Sequence, residues 1–344
     1  MAKLLTIVVP SYNMERYLKV NLKTLVFSQD KMEKVEILII NDGSTDKTSD
    51  IAHEFEKKYP NIVTVIDKKN GNYGSCVNVG LKRATGVFIK ILDADDSFNP
   101  ANMEEFITEL ENSESNNEHI DMFFTDYHTV DEKGNLIRLY KQNLPQRIVI
   151  PITDDNYLTF DRIQHHCIAY RTELLRKNDY YQSERLAYTD QEWITIPLLY
   201  VRKIKYIPLD LYAYLLGRSG QTMDKSVITK SVTAHIKVGH AMLDTYLQKK
   251  DACEDYNLNI VRRRIIKYFQ YIYKLFLITN TTEEARQELT KFDKQLSKQS
   301  KDIYDSLFNT ILCKKIPIKY IKYWRQKGYN CLLAIISGVY SSLN

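Results

Sequence analysis

Hydrophobic and polar positions follow two rhythms along the chain. In the first hundred residues, short apolar runs at 6–10, 35–40, 61–66 and 87–92 alternate with stretches of helical spacing. Apolar runs of that length, bounded by polar residues, predict buried strands. Residues 15–29 put Leu18, Leu22, Leu25 and Val26 on one helix face, and residues 73–84 read as another helix. Ser44 or Thr45 suits an N-cap, with Asp46 in the first turn, and Asn99-Pro100 opens a helix with Pro near its first position. Strand and helix in alternation predict an α/β fold: a mainly parallel sheet flanked by helices.

After residue 120 the rhythm changes. Residues 121–130 and 136–140, joined by the polar turn 131–135, predict a hairpin, and 150–220 are mixed. From Ser226 onward the spacing is helical, with breaks near Asp251, Asn280 and Lys315. This predicts a first domain over 1–222 and a helical C-terminal domain over 223–344.

An open parallel sheet binds ligands outside the carboxyl ends of its strands. Those ends lead into Ser11-Tyr12-Asn13, Asn41-Asp42-Gly43-Ser44, Asp67 with the loop 68–74, and Asp93-Ala94-Asp95-Asp96. Three carboxylates in four positions repel one another unless a cation neutralises them, and oxygen ligands suit Mg²⁺ or Mn²⁺. The plainer reading is a solvated turn ahead of the helix at Pro100. Asp42 is placed to accept a base N–H or bind a ribose hydroxyl, or to form an Asx turn before Gly43. The chain lacks Gly-x-Gly-x-x-Gly and Walker patterns, which disfavours a dinucleotide dehydrogenase or a P-loop NTPase.

Composition adds boundaries. The 344 residues are 44% hydrophobic and 26% charged, ordinary globular usage. Five scattered Cys without Cys-x-x-Cys indicate neither a disulfide framework nor a zinc site, and suit a reducing cytoplasm. The apolar stretch 331–343 falls short of the ~20 residues of a spanning helix. Charge is uneven: residues 260–330 hold 16 Lys/Arg against 6 Asp/Glu. Within them, Lys314, Lys315, Lys319, Lys322, Arg325 and Lys327 alternate with Ile, Tyr320, Tyr323 and Trp324. That pattern reads either as a solvated or packed helix face or as an interfacial helix on anionic lipid. No nucleic-acid motif accompanies it, so no nucleic-acid partner is expected.

Several ordered motifs together resemble the family 2 glycosyltransferases with the GT-A fold. They are Thr6-Ile-Val-Val-Pro-Ser-Tyr-Asn13, Glu36-Ile-Leu-Ile-Ile-Asn-Asp-Gly-Ser-Thr-Asp46, Asn70-Gly-Asn-Tyr-Gly74, Asn78-Val-Gly-Leu81, Ala84-Thr-Gly86 and Ile91-Leu-Asp-Ala-Asp-Asp96. The match is specific over 4–100 and looser to 222. The resemblance implies that Pro10, Tyr12, Asn13 and Asp42 frame the nucleotide, uracil first, with Asn78 and Ala94 nearby. It implies Asp93 toward the ribose and Asp95 on Mn²⁺ or Mg²⁺. Tyr188-Thr-Asp-Gln-Glu-Trp193 resembles the motif of the family's general base, which falls at Asp190, with Glu192 the alternative. Leu216-Gly-Arg-Ser-Gly-Gln-Thr222 resembles a loop near the phosphates, offering Arg218 and Gln221. Two departures stand out: Val77 where many relatives have Arg, and Thr189 where many have Glu. His165 and His166 precede a strand-like segment. Adjacent residues on a strand point oppositely, so one is placed for metal or acceptor, and a structural role is the plainer expectation for each.

The implied activity is inverting transfer of a sugar from a nucleotide diphosphate, UDP first, to a saccharide or lipid-linked acceptor hydroxyl in cell-surface polysaccharide synthesis. The implied location is cytoplasmic, peripheral on the inner face of the membrane. The competing expectations are a catalytically silent nucleotide-binding scaffold and a nucleotidyltransferase. The latter is disfavoured because the first strand leads into Ser11-Tyr12-Asn13-Met14 rather than a Gly-rich basic loop.

Overall fold

The computed structural model describes residues 3–153, 160, 163–218, 232–279, 283–307, 311–313, 316–318, 320–326 and 328. Gln221, the expected boundary at 222, and the stretch 331–343 lie outside them. The described residues up to 218, with Cys253–Asn257, form one compact unit; those at 232–252 and from Leu258 onward form a second.

The first unit is built on a ten-stranded sheet. Strands β1 (Leu5–Ser11), β2 (Val35–Asn41), β3 (Val63–Asp67) and β4 (Phe88–Ile91) pair in parallel in the order β3-β2-β1-β4. All seven residues of β1 are buried, as its apolar run requires of a central strand covered on both faces. Helix α4 (Asn72–Arg83) packs on this half-sheet. Its Gly80 lies so close to Val8 that a Cβ would fall 2.6 Å from a Val8 methyl.

Beyond β4 the sheet is mixed, so the parallel expectation describes the first four strands. β9 (Ile168–Arg171) runs antiparallel to β4 and to β6 (Met122–Val130), and β6 runs parallel to the long β10 (Lys203–Leu215). β6 and β7 (Leu136–Tyr140) form the expected hairpin. The short β5 (Ser97–Phe98) and β8 (Val149–Pro151) add to β10. Helix α5 (Pro100–Ser115) starts as expected, its cap Asn99 accepting from the N–H groups of Ala101 and Asn102.

Two local expectations shift. The helix expected over 15–29 breaks into α1 (Leu18–Lys23) and α2 (Gln29–Met32). The Thr24 hydroxyl donates back to the Asn21 carbonyl at 2.7 Å and accepts the Phe98 N–H at 3.1 Å, diverting the chain. Helix α3 (Thr48–Lys58) starts later than a Ser44 or Thr45 cap would place it. Asp46 precedes it and accepts the Thr48 N–H at 2.9 Å.

The second unit is largely helical: α8 (Val232–Lys249), α9 (Asp255–Thr279) from Leu258 onward, α10 (Glu283–Gln299), α11 (Lys301–Ser306) and α12 (Tyr320–Gln326). A two-stranded ladder, β11 (Ile311–Cys313) with β12 (Ile316–Ile318), spans the break expected near Lys315, in keeping with its β-branched Ile residues. Ile321 and Trp324 are buried, and the Arg325 guanidinium is spent on Asp293 at 2.6 Å and the Tyr304 carbonyl at 3.0 Å. Ile321, Trp324 and Arg325 pack within the second unit, while Lys322 is exposed. Lys314, Lys315, Lys319 and Lys327 lie outside the described residues. Among the described residues, no helix is long and apolar enough to cross a membrane.

Candidate active site

The loops leaving β1 and β2 are laced together. The Asp42 N–H donates to the Ser11 carbonyl at 2.8 Å. The Asn13 N–H donates to Ser44 Oγ at 3.0 Å, and Asn13 Oδ1 accepts the Thr45 N–H at 2.9 Å. Pro10 sits in β1 past Val8, the last residue paired with β4, so its missing N–H breaks no ladder bond there. Tyr12 at the edge is half exposed. Asp42 is buried, and its Oδ1 accepts from Lys68 Nζ at 2.5 Å and from the Gly71 N–H at 2.9 Å.

The acidic loop after β4 divides its three carboxylates among three tasks. Asp96 is a fastener: it accepts the Tyr212 hydroxyl at 2.6 Å and the Leu215 N–H at 2.8 Å, tying the end of β10 to the loop. Burial, then Asp95 and Asp93, push its pKa well up. Asp95 is ion-paired to Arg218. Burial and Asp93 raise it nonetheless. Ala94 is buried between them, and Asn21 Nδ2 donates to the carbonyls of Asp93 and Asp96 at 2.8 Å each.

Asp93 faces inward. Its Oδ2 is 3.0 Å from His165 Nε2. Burial acts to raise Asp93, but the charge and hydrogen bond of His165 outweigh it and hold the carboxyl below its usual value. Burial acts to lower His165, and Asp93 with Asp190 holds it above the usual imidazole value. Beside it, burial followed by His165 and Lys90 drives His166 well down, so that ring is neutral. His165–Cys167 form a single 3₁₀ turn, not a strand, and the two rings lie 3.9 Å apart on one side. The expectation that the pair points oppositely is corrected by that turn.

Asp190 opens α7 (Asp190–Trp193), and its Oδ2 accepts from Gln191 Nε2 at 2.9 Å. Burial raises its pKa; His165 pulls it down and Asp93 pushes it up, so the three groups share one electrostatic pocket. Tyr73, whose hydroxyl is buried, feels both Asp93 and Asp190. Glu192 is otherwise engaged, one oxygen on the Ser183 N–H and one on the Ser183 hydroxyl, each at 2.6 Å. Asn78 is likewise engaged: its amide donates to the Gln182 carbonyl at 2.8 Å and to Glu184 at 3.0 Å, and accepts the Gln182 N–H at 2.9 Å.

The structure therefore gathers Asp93, Asp190, His165 and Tyr73 in one place, with Asp95 and Arg218 beside them. It gives Asn78 and Glu192 to the segment 182–184. Sequence reasoning did not find Tyr73, Tyr212, Lys68 or Lys90. Lys90 carried a signal, a lone Lys in an apolar strand: fully buried, it donates to the carbonyls of His166 at 2.7 Å and Ile168 at 3.2 Å. The carboxylate and imidazole atoms around Asp93, several without hydrogen-bond partners, fit a divalent cation.

A half-sheet β3-β2-β1-β4 with an Asp-x-Asp loop at its carboxyl edge defines the GT-A class of nucleotide-sugar transferases. The family model described as Glycosyl transferase family 2 matches residues 6–178, and the chain belongs to that family of glycosyltransferases. Among curated relatives, the poly(ribitol-phosphate) beta-N-acetylglucosaminyltransferase TarS of Staphylococcus aureus is 25% identical over 225 residues, covering 65% of this chain and 37% of its own. An uncharacterized glycosyltransferase of Mycoplasma genitalium, MG025, is 39% identical over 97 residues, 28% of this chain and 32% of its own. The chain thus spans well under half the length of these relatives. Residues 1–349 of S. aureus TarS, solved in complex with UDP-GlcNAc, superpose with a TM-score of 0.69 at 19% identity, covering 98% of this chain and 91% of that one. That likeness is one of fold.

Proposed function

We propose that this glycosyltransferase moves a sugar from a UDP-sugar to a hydroxyl of a cell-surface glycopolymer, inverting the anomeric centre. The reading is carried by Asp190, which feels the charges of both Asp93 and His165, while Glu192 is held by Ser183. Nucleotide would lie along Pro10, Tyr12, Asn13 and Asp42, and the diphosphate against the Asp93–Asp95 loop and Arg218. Asp190 takes the proton of the acceptor hydroxyl as its oxygen attacks the anomeric carbon, and the bond to the diphosphate breaks. Single displacement needs no protein nucleophile. Mn²⁺ or Mg²⁺ at the acidic loop would supply charge neutralisation for the departing diphosphate. Arg218, ion-paired with Asp95, would add positive charge there. The UDP-GlcNAc complex and the poly(ribitol-phosphate) activity named for TarS support an N-acetylhexosamine donor and a polyol-phosphate acceptor.

The test is nucleotide release from UDP-, GDP- and dTDP-sugars, with Mn²⁺, Mg²⁺ or chelator and a polyol-phosphate acceptor. Metal-dependent UDP release from one donor, absent in Asp190→Asn, is expected. UDP binding without turnover of any donor would favour a silent scaffold. Pyrophosphate release from a nucleoside triphosphate and a sugar phosphate would favour a nucleotidyltransferase.

A further inference from the structure

Large aliphatic side chains stand in solvent on the β6–β7 hairpin. In β7, Leu136 is 66% exposed, Ile137 54% and Leu139 39%. A single exposed apolar residue is ordinary, but three within four positions of one strand make a patch, and such patches mark surfaces that meet something else. Among the described residues, β7 pairs with β6 alone. An apolar strand left open at a sheet edge is a hazard that chains usually blunt, so its retention here calls for an occupant.

The charge around the patch says what that occupant is. From Lys133 to Ile152 the chain holds Lys133, Arg138, Lys141 and Arg147 and no Asp or Glu. Arg147 is taken up by Glu105 and Glu109. The two acids just before are engaged within the protein. Asp131 accepts the N–H groups of Lys133 and Asn135 at 2.9 and 2.8 Å, closing the turn, and Glu132 accepts the Tyr17 hydroxyl at 3.3 Å and faces Arg16 at 3.8 Å. Lys133, Arg138 and Lys141 therefore surround the aliphatic side chains with positive charge. A second copy docked edge to edge would set these cations against their own counterparts, which is unfavourable. A hydrophilic polymer would answer the charge and leave Ile137 and Leu139 uncovered. An anionic bilayer answers both, its headgroups meeting the cations and its acyl boundary the aliphatic groups.

We propose that the β6–β7 hairpin docks this protein on anionic lipid, with Leu136, Ile137 and Leu139 entering the acyl boundary and Lys133, Arg138 and Lys141 on the headgroups. The same hairpin reaches the candidate site. Tyr140 of β7 stacks on Tyr127 of β6 with centroids 4.6 Å and planes 2° apart, and Tyr127 lies 5.2 Å from the ring of His166. Alternate residues of a strand share a face, so Ile137 and Leu139 lie on the face opposite Tyr140. Docking through them leaves the Tyr140 face toward the site free. The docking itself is independent of the reaction; its use, bringing the pocket to a lipid-linked acceptor, rests on the transferase reading.

The experiment is co-sedimentation of the full chain with vesicles of phosphatidylcholine alone and of phosphatidylcholine mixed with phosphatidylglycerol, at low and high salt. Binding to the mixed vesicles, weakened by salt, is expected, with little binding to phosphatidylcholine alone. Ile137→Gln with Leu139→Gln should lower the partition at least about tenfold. Lys133→Gln, Arg138→Gln and Lys141→Gln should lower it about fivefold for each cation removed. All five side chains lie at the surface, so melting temperature and UDP affinity should stay at wild-type values. No binding to the mixed vesicles overturns the proposal. So does wild-type binding in both sets of variants, which would put the lipid contact elsewhere on the chain. Self-association that Ile137→Gln with Leu139→Gln abolishes, without vesicle binding, would overturn it in favour of a second copy. Donor turnover separates the two readings. UDP release without vesicle binding leaves the transferase standing and removes the docking surface. Hairpin-dependent vesicle binding without turnover of any donor does the reverse.

Discussion

Glu192 holds Ser183 with both carboxylate oxygens, one on the backbone N–H and one on the hydroxyl, at 2.6 Å each. A carboxylate held in this way is clamped to the segment 182–184, whereas Asp190, two residues earlier, feels the charges of His165 and Asp93. Asp190→Asn should therefore lower kcat about 10²–10⁴-fold with donor affinity kept, the usual worth of a general base. Glu192→Gln should retain turnover, its amide oxygen accepting the Ser183 N–H and its NH2 donating to the hydroxyl, whereas Glu192→Ala leaves that N–H unpaired at about 1–3 kcal/mol in denaturant unfolding. The reverse pattern would exchange the two roles. Burial raises the Asp190 pKa above 3.8, and a base works ionised. The acid limb of kcat/KM should accordingly lie above that value and vanish in Asp190→Asn.

Asp42 and Lys68 form a second pair, Nζ to Oδ1 at 2.5 Å, with side chains 3% and 18% exposed. Lys68→Met would leave the Asp42 charge buried with the Gly71 N–H, and breaking such a pair costs about 3 kcal/mol. The double variant Asp42→Asn with Lys68→Met should recover much of that stability and still bind UDP poorly. Urea unfolding and UDP titration separate the two effects. A double variant that binds UDP like the wild type would remove Asp42 from the nucleotide site.

Gly74 touches the same machinery from α4. A Cβ there would sit 2.0 Å from the Ser183 carbonyl oxygen, closer than any backbone can accept. Gly74→Ala should push away the segment 182–184, which anchors Glu192 and Asn78. The expected result is a loss of about 1–3 kcal/mol, typical of overpacking, with kcat falling more than UDP affinity. Equal loss of both would place the damage at the nucleotide rather than at α7.

The strand ends were legible because a buried parallel strand is a continuous apolar run, and whatever follows it must lie at the sheet edge. Asp42, Asp93 and Asp95 were found that way. The partners of those residues were not legible. Lys68 reaches Asp42 across 26 residues and Tyr212 reaches Asp96 across 116, and only strand pairing brings them together. His165 and His166 misled because alternation holds on strands, and a 3₁₀ turn abolishes it. The basic segment near Trp324 left two readings open for a different reason. Interleaved Lys and aromatic residues look alike whether the aromatic face meets lipid or, as here, Tyr273 at 6.4 Å.

At the rim of the sheet, His53 bridges Glu56 through Nδ1 at 2.9 Å and Asp67 through Nε2 at 2.8 Å. The hydrogen bonds to Asp67 and Glu56 raise His53 above 6.5 despite some burial. The Asn41 hydrogen bond, helped by His53 and Ser49 against burial, lowers Asp67 below 3.8. The signs follow from which form the fold prefers. The His53 contribution is complete below pH 6.5 and is lost as pH rises through the raised folded value. The Asp67 contribution is present above 3.8 and is lost as pH falls through the lowered one. The bridge thus stabilises most between those limits, and the wild-type melting temperature should slope downward from about pH 6 to pH 8. His53→Gln should flatten that slope. Because the imidazole is half exposed, high salt should flatten it too, and the effect is small. A slope that persists unchanged in His53→Gln would assign the neutral-range titration to other groups.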